Sequence, residues 1–404
     1  MKKYILLILI ILSIPLVMQS TPTEVLKLRT FDALIDTPLA SGNFIVLSIT
    51  EDDVESEGGY PFPRDRLAEI HKSIMDKGAL GVGWVISFPQ PDRFGGDIEF
   101  AKELLISPSV IAMFENGKGL YPTPTGTVVK GEDIGGMFTT GVKSNVEVLA
   151  SSTLEGIAIA PTEVDNLVRR IPLLLRTPDG WVASFGTQVL KSITGSRSYI
   201  ITTNNNGIQE IAVRGLPPVK TDSLGRKWIS WIKPEETTLQ ELDVLDKYVF
   251  VGVTANGVMP QIATPVGLLE PHYIQAALAE SMLIPNSPYI PDYALAAELG
   301  IFISSVAISW LLLHVLGITL GVTLVGSLMA LTVFLGGYMI QQGILIDVTW
   351  AVISQFITAT IAFYLRFREQ YKLRQQIKKQ FEHYLDPRQV KQLQDNPGLL
   401  VLGG

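Results

Sequence analysis

The chain has 404 residues, no cysteine, four histidines, 47% hydrophobic residues and a formal net charge of −7. Without cysteine there is no disulfide framework, no thiolate metal site and no cysteine nucleophile, and the scattered His71, His272, His314 and His383 lack a metal-ligand spacing. Charge is segregated: residues 20–291 carry 22 Lys and Arg against 32 Asp and Glu, which would repel nucleic acid and anionic lipid, whereas residues 366–391 carry eight basic residues against three acids.

Residues 1–19 open with Lys2 and Lys3 and run into an apolar stretch, the pattern of a signal peptide or signal anchor. No small-x-small cleavage site follows Met18, so an uncleaved anchor helix is expected. Residues 20–291 then read as one α/β domain with a mixed sheet. FIVLSIT from Phe44 is a short β-branched run. RDRLAEIHKSIMDKG from Arg64 places Leu67, Ile70 and Ile74 at helical spacing before Gly78, and ALGVGWVISF from Ala79 is a second strand. That order predicts a βαβ unit with parallel strands. SVIAMF from Ser109, GIAIA from Gly156, KYVFVGVTA from Lys247 and the helix PHYIQAALAESML from Pro271 continue the theme.

Three apolar runs without Lys or Arg fill residues 292–365, over 294–315, 316–339 and 344–365. About 20 apolar residues rising 1.5 Å each cross roughly 30 Å of hydrocarbon, and in lipid each run has to be helical. With the N-terminal anchor this predicts a four-helix transmembrane region. Basic residues before the first helix and after the last place both termini in the cytoplasm. An even number of crossings then puts the α/β domain outside, in the periplasm of a Gram-negative cell.

Several residues invite a functional reading beside a structural one. Glu51, Asp53, Glu55 and Glu57 alternate like oxygen donors for calcium, yet they lack the EF-hand pattern, and a solvated turn is expected. Tyr60, Phe62 and Arg64 suit an anionic or planar ligand, or a rigid Pro-framed entry to the next helix. Arg169 and Arg170 fit either ligand binding or a charged strand edge. Glu298 and Asp347 are expected at the membrane interface. Gly317 and Gly321 allow close helix packing, within a protomer or across a dimer seam. Leu373, Ile377, Phe381 and Tyr384 share a helical face suited to a parallel coiled coil, with Arg374, Lys378 and Lys379 outside it; a helix lying on anionic lipid is the companion reading. No phosphate-binding Gly-Lys loop, nucleophile elbow or catalytic triad is evident.

The stretch TEDDVESEGGYPFPR (50–64), GALGVGWVISFPQPD (78–92), TEVDNLVRRIPLLL from Thr162 and YVFVGVTANGVMPQIATPVG from Tyr248 together resemble the type-two CHASE domain, the extracellular sensory domain of bacterial cyclases, histidine kinases and related receptors. In that family one helix commonly precedes the domain and three follow it, and then comes a cytoplasmic output module. The chain departs from many relatives in having Thr50 and Val85 where they have Asp. FEHYLDPRQVKQLQDNPGLLVLGG from Phe381 resembles the lead-in to class III adenylate and guanylate cyclase domains. The resemblance implies a homodimeric membrane receptor for an extracytoplasmic ligand, with residues 366–404 as a signalling helix and lead-in to a cyclase domain lying beyond this sequence. ATP or GTP and a divalent metal are expected only for that domain; no catalytic residue, metal site or cofactor is expected in the chain itself, and lipid is its expected surrounding. The alternatives are a membrane-anchored binding or scaffold protein without output, and the same sensor coupled to a kinase.

Overall fold

The computed structural model describes residues 2–382. Six strands, β1 (Phe44–Ile49), β2 (Gly81–Trp84), β3 (Ser109–Met113), β4 (Leu154–Ile157), β5 (Glu235–Thr237) and β6 (Tyr248–Val253), form a sheet in the order β5-β1-β6-β2-β3-β4. Every neighbouring pair is parallel. The runs FIVLSI and YVFVGV are apolar at consecutive positions, as strands covered on both faces must be.

Helices are α1 (Lys2–Val17), α2 (Thr21–Leu34), α3 (Glu51–Ser56), α4 (Arg64–Asp76), α5 (Asp97–Leu105), α6 (Phe185–Thr194), α7 (Pro271–Leu283), α8 (Ala294–Val315), α9 (Ile318–Gln341) and α10 (Thr349–Glu382), beside a single turn at Glu147–Ala150. The pleat divides β1 between two cores. Ile45, Leu47 and Ile49 pack with Leu67, Ile70 and Ile74 of α4 and with Phe100 of α5. Phe44 and Val46 pack with Phe185 of α6 and Ile274 and Leu278 of α7. The predicted periodicity of residues 64–76 is thus the buried face of α4.

The expectation of a mixed sheet is corrected for the centre of the domain. Helical crossovers cover both faces there and leave no wet side for a hairpin. Mixed pairing is confined to satellite sheets, such as the one in which Tyr199–Asn204 pairs antiparallel with Gly207–Val213 and parallel with Thr127–Lys130. Residues 51–56 are a helix rather than a turn: Thr50 Oγ accepts from the Asp53 amide while Asp53 accepts from the Thr50 amide, a capping box that the acidic string concealed.

Among the described residues three helices, not four, are long and apolar enough to cross a membrane: α8, α9 and Thr349–Gln380 of α10. α1 has 16 residues, about 24 Å at 1.5 Å each, which is short of the hydrocarbon thickness. It passes only when joined to α2, across a 72° bend. In this helical unit Phe302, Val306, Trp310, Val325 and Ala351 are buried together with Ile8 and Leu16 of α1. Trp350 donates to the Leu12 carbonyl at 2.8 Å, and Arg366 donates to the carbonyls of Leu313 and Leu316 at the end of α8. A Cβ on Gly321 would lie 3.2 Å from the Leu312 carbonyl oxygen, so this glycine allows a contact within the protomer; Gly317 has open space around it.

The chain separates into two compact units. One holds residues 2–23, Ala296–Gly336 and residues 348–382. The other holds Glu24–Leu295 together with Gly337–Asp347, so the connection between α9 and α10 is built into the α/β unit.

Candidate functional site

Tyr60, Phe62 and Arg64 lie between β1 and α4. The Phe62 ring is core, packed with Leu67 and the aromatic cluster of Trp84, Phe88 and Phe100, and Tyr60 stands 6.0 Å from it. The Arg64 guanidinium lies 4.4 Å above the Phe88 ring with Nε 3.5 Å from Asp97 Oδ1. Burial holds its pKa below the usual guanidinium value against the opposing charges of Asp97 and Asp92. Asp53 is equally committed, accepting from Thr50 Oγ at 2.7 Å and from Gln240 at 3.0 Å. Glu57 pairs with Arg66 at 2.7 Å.

Arg169 is fully buried and grips two carboxylates. Its Nε and Nη2 reach Asp32 of α2 at 2.8 and 2.7 Å, and its Nη1 and Nη2 reach Asp165 at 2.7 and 2.9 Å. Burial opposes the charge, but hydrogen bonds to Asp165 and Asp32 prevail and raise the guanidinium pKa, while Arg169 holds the Asp165 carboxyl low. Arg170 bonds Glu163 through Nε and Nη2, both at 2.6 Å, and Asp222 at 3.2 Å. These two arginines spend their donors on the protein's own acids.

A cavity of about 600 Å³ lies elsewhere in the same unit. Pro217 and Pro218 form one side, Met282 and Leu283 at the end of α7 another, and Gln342 and Ile344 of the α9–α10 connection a third. Lys227 and Lys220 also line it. Lys227 is fully buried, donates to the Pro288 carbonyl at 3.0 Å, and burial pushes its pKa down to about 7. Lys220 is exposed, with Nζ 4.8 Å above the Tyr289 ring. No acidic side chain lines this cavity among the described residues.

The wall from the α9–α10 connection is held by backbone pairing. Tyr289 donates to the Gly343 carbonyl and accepts from the Leu345 amide, both at 3.0 Å. Ile340 and Leu345 are buried with Leu28 and Phe31 of α2 and with Trp228. Gly343 has φ +78°, and an added Cβ would sit 2.4 Å from the Asn286 carbonyl oxygen, so this approach requires glycine. Sequence reasoning assigned Ile344–Ile346 to a membrane run and singled out neither lysine. The available signal was the turn itself, in which Gly343 precedes ILID rather than polar turn residues.

On α10, Leu373 and Ile377 are exposed, whereas the Phe381 side chain and all of Tyr384 lie outside the described residues. Glu298 and Asp347 are both buried. Among the described residues no group of three His, Asp or Glu side chains could hold a metal ion.

Comparison with protein-family models matches residues 5–318 to the family described as the CHASE2 domain. No curated protein and no solved structure matches the chain.

Proposed function

The chain belongs to the CHASE2 domain family, a family of sensory domains, and on that premise we propose that it is a membrane receptor whose α/β domain governs a C-terminal output module through α10. The observation that carries this reading is the embedding of Gly337–Asp347 in the α/β unit. A change of shape at Tyr289 or Trp228 would bear on the segment that leads into α10, which pairs with Tyr289 and packs on Trp228. That helix then continues for 34 residues, about 51 Å, from apolar Thr349–Leu365 sequence into a basic stretch.

The same segment supports a topology for this receptor. Residues 337–347 belong to the α/β unit, so in this reading the α9–α10 connection lies on the same side of the membrane as the domain. The basic residues after Leu365 favour the cytoplasm for the far end of α10, which puts the domain outside. Three crossings give this arrangement whether or not α1 spans. The output we propose is a class III nucleotide cyclase, on the likeness of residues 381–404 to its lead-in. Two protomers would meet along Leu373 and Ile377, which are exposed and one turn apart. A signal would act as a population shift between dimer arrangements, limited by its differential affinity for them.

Single cysteines test the dimer directly, since the chain has none of its own. Leu373→Cys and Ile377→Cys should form disulfide-linked dimers in native membranes, and Arg374→Cys and Lys378→Cys should not. Equal cross-linking at all four positions, or none, would remove the coiled-coil dimer. The cyclase output is tested by reading the gene past the codon for Gly404. A following module of about 180 residues with two metal-binding aspartates supports it, and an immediate stop codon sinks it.

A further inference from the structure

Lys227 is a fully buried cation that no acidic side chain meets among the described residues. Its ammonium has three donors, and the one oxygen it meets is the Pro288 carbonyl. Keeping an ammonium out of water is costly unless a counter-charge and hydrogen bonds compensate it. A methionine would fill the same space without that cost. The cavity beside it falls within the range of small-molecule sites, has apolar walls, and presents a second lysine.

We propose that this cavity binds an organic anion, a carboxylate or phosphate carried on an apolar chain, with the anionic group held by Lys227 and Lys220 and the chain resting on Pro217, Pro218, Met282 and Leu283. Gln342 and Ile344 would close over the ligand, so occupancy would bear on the same connection that Tyr289 holds through its backbone. That this anion is the receptor's signal rests on the receptor reading above; the binding site does not. Two sources share the chemistry, a free amphiphile and the headgroup region of an anionic lipid.

The test uses the full chain in nanodiscs of zwitterionic lipid, titrated with octanoate and with octyl phosphate, with octanol as the neutral control and empty discs as background. Saturable binding of about one anion per chain is expected, with octanol giving none. Lys227→Met should weaken it at least tenfold and Lys220→Gln several-fold. If Lys227→Met does not fold, Lys220→Gln and the cavity-filling Ile344→Trp decide in its place. Anion binding no better than octanol, or untouched by these variants, overturns the assignment. Discs containing phosphatidylglycerol separate the sources: competition with octyl phosphate assigns the site to lipid, and undiminished binding assigns it to a free amphiphile. The cross-linking pattern of Leu373→Cys is read in the same samples. Binding that leaves the pattern unchanged keeps the site and breaks the receptor reading; absent binding breaks the site and leaves that reading standing.

Discussion

Arg170, 13% exposed, and the fully buried Lys227 are cations on one two-stranded ladder, yet their surroundings are opposite. Arg170–Pro172 pairs antiparallel with Arg226–Trp228, placing Trp228 across from Arg170 and Ile171 across from Lys227. Residues facing each other share a side of the sheet, so Arg170 and Lys227 point to opposite faces. On one face Glu163 and Asp222 neutralise the guanidinium, and next along the chain Arg169 is clasped by Asp32 and Asp165. On the other face Lys227 meets a carbonyl and a cavity. Charge alone does not mark a site; a cation whose counter-charge is missing does.

Opposite responses to the same kind of substitution would sharpen this contrast. The largest effect is expected for Arg169→Met. It strips the guanidinium from two carboxylates that are 7% and 16% exposed, leaving Asp165 with Arg29 at 3.4 Å, and should destabilise the chain by about 3–5 kcal/mol in a denaturant titration in detergent, followed by tryptophan fluorescence. An unchanged midpoint would mean that the clasp contributes no stability.

Next comes acid. His71 is buried against Trp84, accepting the indole N–H at 3.1 Å, and burial lowers its pKa to about 4; His272, beside Ser48, is lowered to about 3. A histidine depressed in the folded state is protonated first in the unfolded one. Its stabilising effect is therefore full above about pH 6.5 and declines as pH falls toward the folded values. Each histidine should account for a loss on the order of 3 kcal/mol between pH 7 and pH 4. His71→Gln should flatten the slope of stability against pH in that window, and an unaltered slope would exclude His71 as a source.

The smallest effect has the opposite sign. Lys227→Met should stabilise the ligand-free chain by about 1–2 kcal/mol at pH 7 or below. The unfolded lysine keeps its proton to about pH 10.4 while the folded one loses it at about 7, so wild-type stability should rise over that interval relative to the variant. Destabilisation by Lys227→Met would show that the lysine is structural and erase the contrast with Arg169.

Much of the fold was legible in local pattern. Leu67, Ile70 and Ile74 announced α4, and the runs FIVLSI and YVFVGV announced strands. The run 294–315 coincides with α8. The four-helix expectation failed because composition does not reveal the bend that ends α1 at 16 residues. For the central sheet the mixed-sheet expectation failed because strand direction depends on which crossovers close, a matter of sequence-distant pairing. For Arg169 and Arg170 the sequence left binding and structure level; the deciding acids Asp32 and Asp222 lie 137 and 52 residues away.

What the sequence determined by itself were properties carried by neighbours along the chain: helical periodicity, apolar length, the segregation of charge, and the motifs of a sensory family. Only the tertiary structure decided where each buried charge finds its counter-charge. It brought Asp32 to Arg169, left Lys227 facing a cavity, and drew the α9–α10 connection into the α/β domain through Tyr289. Hydrogen bonds and Coulomb attraction depend on distance in space, and residues far apart in sequence acquire that distance only when the chain is folded.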